Sequence, residues 1–179
     1  FSITLRHFEF PLGKRKLAIE TQFSVQKTSL NLYLDNLDLV VDETKHKIMG
    51  SWVDGELDFN LVLNKFPLDL THYWVPLIND GDLTAQLQVS GSVKNPAIQG
   101  KITASSTYNS QPVFLDFVGF ASREDIEFNQ LNASFAEAVI DAKGHLNLAE
   151  ENSNVSIQVK QFDISLLEQF EIELPSELQ

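Results

Sequence analysis

Apolar and polar residues alternate along most of the chain. Across residues 83–90 every odd position is leucine, alanine or valine, and every even position is polar. Residues 56–63 and 98–105 follow nearly the same rule. Because successive side chains of a β-strand point to opposite faces, each segment predicts a strand with one apolar and one polar face.

The same alternation recurs often enough to predict about a dozen strands of roughly 5–10 residues each. Besides those already named, the predicted strands are 1–5, 17–25, 30–34, 37–41, 48–52, 113–117, 126–128, 131–135, 140–148 and 155–159. Short connections such as Asp54-Gly55 favour hairpins, and hairpins pair antiparallel. The pattern therefore predicts an all-β chain, a long antiparallel meander with one dry face.

Helical signals are confined to two short segments. Residues 68–77 combine Asp69 as a potential N-cap with apolar residues at helical spacing. Ser165 and Glu168 stand at the spacing of a capping box. We expect one or two helical turns at each place.

The chain also resembles itself at a fixed offset. Four pairs stand 94 residues apart: Phe23 and Phe117, Leu37 and Leu131, Gly50 and Gly144, and Trp52 and Leu146. Residues 66–70 and 162–166 correspond at an offset of 96, which indicates a two-residue insertion in a turn. We interpret this as two weak repeats, at about residues 1–80 and 81–179, which favours an elongated object. Chance similarity between amphipathic strands is the alternative.

Composition excludes several classes of function. The 179 residues include 13 Lys and Arg against 25 Asp and Glu, for a formal net charge of −12. Binding to nucleic acid or to an anionic bilayer surface depends on basic residues, so neither is expected. No apolar stretch approaches the roughly 18 residues of a membrane-spanning helix. The chain has no cysteine, so thiolate nucleophiles and zinc–thiolate sites are excluded.

Candidate chemistry is sparse. The four histidines have no metal-ligand spacing, and no phosphate loop or dinucleotide fingerprint is present. Residues 79–82 resemble the start of a calcium loop but lack its distal glutamate, which favours a plain turn. We therefore expect no enzymatic activity, no metal and no cofactor.

The dry face leaves two architectures open. A β-sandwich would bury two apolar faces against each other, whereas an open sheet would offer an apolar groove to a ligand. Alternation alone favours the sandwich, in which case the chain is a binding or adhesion module without a lipid cargo. An enzyme is the third and least supported class.

Residues 81–102 change that balance. They contain Gly81, an alternating strand, Ser90-Gly91-Ser92, Pro96 in a turn and Gly100 near the start of the next strand. This order resembles the recurrent segment of the TamB family, which is related to the AsmA-like proteins. Residues 140–148, followed by 162–165, are similar to the family's next steps.

The resemblance implies a fold and a role. TamB-like proteins, the translocation and assembly module subunits, form an elongated, curled antiparallel sheet with an apolar interior groove, called a β-taco. They are periplasmic, anchored in the bacterial inner membrane, and act with a TamA-like outer-membrane protein. Their roles are phospholipid transport between the membranes and outer-membrane biogenesis, including assembly of secreted autotransporters.

By the same resemblance, the chain is expected to be a single fragment of such a protein, with the inner-membrane anchor in the missing part. Phospholipid or unfolded outer-membrane protein would be the cargo. The implied groove lining is Leu57, Phe59, Leu61, Leu63, Leu83, Leu87, Val89, Ile98, Ile102, Leu115, Phe117, Ile140, Leu146, Leu148, Ile157 and Val159.

Overall fold

The computed structural model describes residues 2–12, 15–26, 31–71, 80–149 and 153–161. Within them, eleven strands form one antiparallel sheet whose spatial order is the order of the sequence. The strands are β1 Ser2–Leu12, β2 Arg15–Gln26, β3 Asn31–Val41, β4 Thr44–Val53, β5 Glu56–Pro67, β6 Asp82–Ser92, β7 Asn95–Tyr108, β8 Gln111–Ala121, β9 Asp125–Phe135, β10 Ala138–Asn147 and β11 Asn154–Lys160. The predicted all-β, open and curled sheet is confirmed.

Tight turns connect most of the strands. The predicted hairpin at Asp54-Gly55 joins β4 to β5, and both turn residues have positive φ, 51° and 88°. That conformation suits the twist of the flanking strands and is readily adopted by aspartate and glycine. The longest connection between described strands joins β5 to β6.

Two predicted pairs of strands are each a single strand with a bulge. The described part of predicted segment 30–34, residues 31–34, and segment 37–41 both lie in β3, where Asp35 is the extra residue between the pairs of Leu34 and Leu37. Segments 126–128 and 131–135 both lie in β9, with Asn129 in the same role. A bulge shifts the inward-facing positions from even to odd numbers. Because the prediction assumed strict alternation, it divided each of these strands into two.

Helical structure in the described residues is one 3₁₀ turn, Leu68–Thr71, directly after β5. The Leu68 amide donates to the Gly81 carbonyl at 2.9 Å, which ties the start of the turn to the start of β6. The rest of the predicted helix over 68–77 and the predicted capping box at Ser165 lie outside the described residues. No helix in the described part is long and apolar enough to cross a membrane.

The large buried apolar side chains lie at one end of the N-terminal strands, whereas the small side chains of Ala138 and Ala142 are buried on β10. Leu17, Val41 and Leu68 are buried there, and Ala85 is buried on β6. Leu17 and Val41 are direct cross-strand partners, and Leu68 belongs to the 3₁₀ turn. The compact core is therefore local, and most of the apolar sheet surface lies outside it.

Candidate functional site

Apolar residues of successive strands stand side by side and form continuous rows across the sheet. Direct cross-strand partners share a face, so the register assigns every row to one side. One row is Leu63, Ala85, Ile102, Phe117, Leu131, Ala142 and Ile157. A second row, separated from the first by the row of Leu61 and Leu87, is Phe59, Val89, Ile98, Ala121, Ile126 and Leu146. We call the side that carries these rows the inner face.

The predicted groove residues share this face. All of them except Leu148 lie within β5 to β8, β10 and β11, at inner-face positions. Leu148 follows the last residue of β10, and its amide donates to the Glu124 carbonyl at 2.6 Å. It therefore lies one position beyond the last residue of the strand, and its place in the groove lining stays a prediction.

Strong exposure on this face is concentrated toward the C-terminal strands. Ile98, Ile140, Ile157 and Val159 are 43, 38, 64 and 49 % exposed. The other predicted groove residues within strands are half-buried, and none is buried. No second sheet packs on the inner face within the described part of the chain. These residues thus form an apolar surface that the described strands leave uncovered.

His46 is an inner-face residue that the sequence did not single out. Its side chain is fully buried, and it pairs across the sheet with Leu39. Its Nδ1 accepts a hydrogen bond from the Asn64 amide at 3.2 Å, and the Phe66 ring stands edge-on at 5.2 Å between ring centroids. Burial lowers the pKa of His46, so the imidazole is neutral near pH 7. The sequence indicated this placement only through its spacing, because His46 stands two residues before Ile48 and therefore on the same face of the strand.

The outer face is held by polar side chains that link strand to strand. The Asp116 carboxylate on β8 accepts hydrogen bonds from Thr103 at 3.2 Å and from Gln130 at 3.1 Å. On β10, the Asp141 carboxylate accepts from Asn132 and lies 2.8 Å from the Lys160 ammonium. These groups keep one side of the sheet hydrated and bind its C-terminal strands together where the inner face is most open.

Ion pairs link the ends of strands near the 3₁₀ turn. The Arg15 Nε donates to both carboxylate oxygens of Asp69, at 3.0 and 2.9 Å. Its Nη1 forms an ion pair with Asp42 in the β3–β4 turn. Arg15 starts β2 and Asp69 follows β5, so this contact brings the two elements together across the ends of β3 and β4.

The described residues contain no group of three or more His, Asp or Glu side chains placed to hold a metal ion. His145, interpreted from the sequence as a solvated residue, lies on the outer face with Nε2 2.9 Å from the Asp125 carboxylate. The site is therefore an apolar surface with polar groups on its reverse side. Comparison with protein-family models, with curated proteins and with solved structures finds no match.

Proposed function

We propose that this chain is the hydrophobic-groove module of a TamB-like periplasmic protein that bridges the inner and outer membranes. In this role the inner face carries acyl chains of phospholipid between the membranes, and the module acts with a TamA-like outer-membrane partner in outer-membrane protein assembly. The protein would be anchored in the inner membrane by a segment outside this chain.

One observation carries the proposal: the inner face is apolar in strand after strand, and no described part of the chain covers it. A soluble monomer rarely leaves a contiguous apolar surface of this kind without a partner or ligand for it. Hydrocarbon is a suitable occupant, since each CH₂ group kept out of water contributes about 0.8 kcal/mol.

The orientation of the rows supports transport. Rows of cross-strand partners run perpendicular to the strands, along the direction in which the sheet extends. An acyl chain that follows a row therefore contacts one strand after another without leaving apolar surface. Isoleucine, leucine and phenylalanine side chains form no hydrogen bonds or ion pairs with a lipid head group, so the surface accepts lipids with different head groups.

The β-sandwich alternative needs a second sheet face against the first, at about 10 Å. The described strands form a single sheet, and each pairs with its neighbours in sequence. An adhesion module with a closed apolar core therefore has less support than an open groove.

The test uses a matched pair of substitutions on neighbouring residues. Ile98 is exposed on the inner face, while Gln99 is exposed on the outer face and donates to Gln88 at 2.8 Å. Ile98→Glu and Gln99→Glu are each introduced into the chain, and crosslinking to a photoactivatable phospholipid is measured. We expect Ile98→Glu to reduce crosslinking at least fivefold with an unchanged melting temperature, and Gln99→Glu to crosslink like the wild type.

Absence of crosslinking in the wild-type chain contradicts the proposal. Equal crosslinking by all three proteins contradicts it as well, because lipid would then be bound elsewhere.

A further inference from the structure

The two edges of the sheet differ in how they are protected against pairing with another strand. Natural edge strands carry bulges, prolines or charges that discourage added strands. β1 has a register irregularity between Leu5 and Phe8, and Pro11 near its end. β11 pairs with β10 without a break, and Lys160 at its last position is its sole charged residue. Of the two edges of the described sheet, β11 is therefore the less protected one.

Among the described strands, β11 pairs through one side of its backbone only, with β10. The Asn154 carbonyl faces β10, because it lies 2.2 Å from the point that a Cβ on Gly144 would occupy. Backbone groups of successive strand residues alternate in direction, so the amides and carbonyls of Val155, Ile157 and Val159 point away from β10. These residues offer six backbone groups in the geometry of an antiparallel ladder to a further strand.

The inner face is a poor site for an extended polypeptide. Its rows are aliphatic and aromatic side chains, which provide no hydrogen-bond partners for a peptide backbone. A peptide lying there would lose hydrogen bonds to water without replacement, at a cost of about 1–3 kcal/mol for each buried group. A strand added at β11 would keep its backbone paired.

We propose that β11 is a docking edge for an extended polypeptide whose apolar and polar residues alternate. The apolar side chains of the added strand continue the inner face beyond Ile157 and Val159, and its polar side chains continue the outer face. Strands of outer-membrane barrels have this alternation, so the inference rests on the proposed function in its choice of cargo. The module then holds hydrocarbon on its face and polypeptide at its edge.

Charge favours a different polypeptide over a second copy of this chain. Each copy has a formal net charge of −12, so two copies repel each other. Beside the edge, by contrast, the outer face has an exposed lysine, Lys143, opposite Ser156 of β11. An acidic residue of the added strand beside Ser156 would lie near Lys143, and a short peptide carries far less charge than a second copy, so the repulsion is smaller.

The experiment measures binding of a nine-residue peptide that alternates valine or isoleucine with serine or glutamate. Its control has the same sequence with alternate backbone amides methylated, which removes the ladder hydrogen bonds and keeps the side chains. On the protein, Ile157→Pro removes an amide that points away from β10, so the β10–β11 pairing remains. Ile98→Glu serves as the matched variant on the face.

We expect the alternating peptide to bind the wild-type chain and Ile98→Glu equally. Methylation of the peptide, or Ile157→Pro, should each weaken binding at least tenfold. If Ile157→Pro does not fold, the methylated peptide still decides the result. Equal binding of both peptides, loss of peptide binding in Ile98→Glu, absence of binding, or dimerisation of the chain through β11 overturns the inference. If the wild-type chain crosslinks to phospholipid but does not bind the peptide, the docking edge is wrong and the proposed function stands. If it does neither, both proposals are wrong.

Discussion

Gly50 and Gly144 stand 94 residues apart and hold equivalent places in β4 and β10. Each has a positive φ, 147° and 152°, and each lies opposite the residue just before a bulge, Leu34 in one case and Phe128 in the other. A Cβ at either glycine would lie within 2.2 Å of a carbonyl oxygen in the next strand. The connection from Gly144 to its partner Val155 is two residues longer than that from Gly50 to Phe59. This correspondence supports the interpretation of two repeats, which stays a prediction.

Substituting these glycines should destabilise the fold. Alanine at Gly50 or Gly144 combines an unfavourable φ with a contact to the neighbouring backbone, and we expect a loss of about 1–3 kcal/mol in the free energy of unfolding. Gly55→Ala is the control, since Gly55 also has positive φ but nothing within 4 Å of the added Cβ. Urea denaturation of the three variants measures the effect. A loss for Gly55→Ala as large as for the other two would contradict the contact argument.

A charge on the half-buried part of the inner wall distinguishes an open groove from a closed core. Ile102 is half-buried between its partners Ala85 and Phe117. In a closed core an unpaired charge costs several kcal/mol, whereas here the long arginine side chain reaches water over the open face. We expect Ile102→Arg to fold with a loss below about 2 kcal/mol and to lose phospholipid crosslinking. Leu87→Asp should behave alike.

The control for Ile102→Arg is Ser105→Arg, on the exposed outer face. It should retain both stability and crosslinking. Complete unfolding of Ile102→Arg and Leu87→Asp would remove the main support for the groove.

Acid should weaken the hydrogen bonds that the Asp80 and Asp42 carboxylates accept from Thr107 and Arg15. The pKa of Asp80 is lowered chiefly by hydrogen bonds from Thr107, and that of Asp42 chiefly by its hydrogen bond with Arg15. Because the folded-state pKa values lie below the unfolded ones, both groups stabilise the fold above about pH 4, the unfolded value. This contribution is lost as pH falls through the folded values. The melting temperature should therefore decrease as pH falls below about 4. The decrease should be less steep in Asp80→Asn than in the wild type, and equal slopes in the two proteins would contradict this account.

His46 should produce a separate pH dependence at higher pH. Burial lowers its pKa in the folded state, so the unfolded chain takes up a proton first as pH falls below about 6.5. Stability should accordingly decline from pH 7 to pH 5. His46→Phe, which fills the same space, should flatten this slope in melting temperatures, with His145→Gln on the outer face as the control. Retention of the full slope in His46→Phe would show that another group is responsible.

The sequence predicted the strands and their apolar face well, because alternation is a local property of each strand. Leu61 and Leu87, from two separately predicted strands, are direct partners on one face. Alternation cannot tell whether that face is covered, since an open groove and a sandwich both need it apolar. It also missed His46, a polar residue whose burial depends on Phe66 and Asn64 from the neighbouring strand.

The order of the strands in the sheet has a consequence for how the chain folds. Because each strand pairs with the strands before and after it in sequence, the contacts that form the sheet are short in sequence separation for a β protein. Such local pairing lowers the entropy lost in closing loops before contacts form, and it favours fast folding. Hairpins form in microseconds, so the sheet is expected to grow by successive addition of hairpins while later segments are still unfolded. The slowest step should be the pairing of β5 with β6, which are joined by the longest connection between described strands.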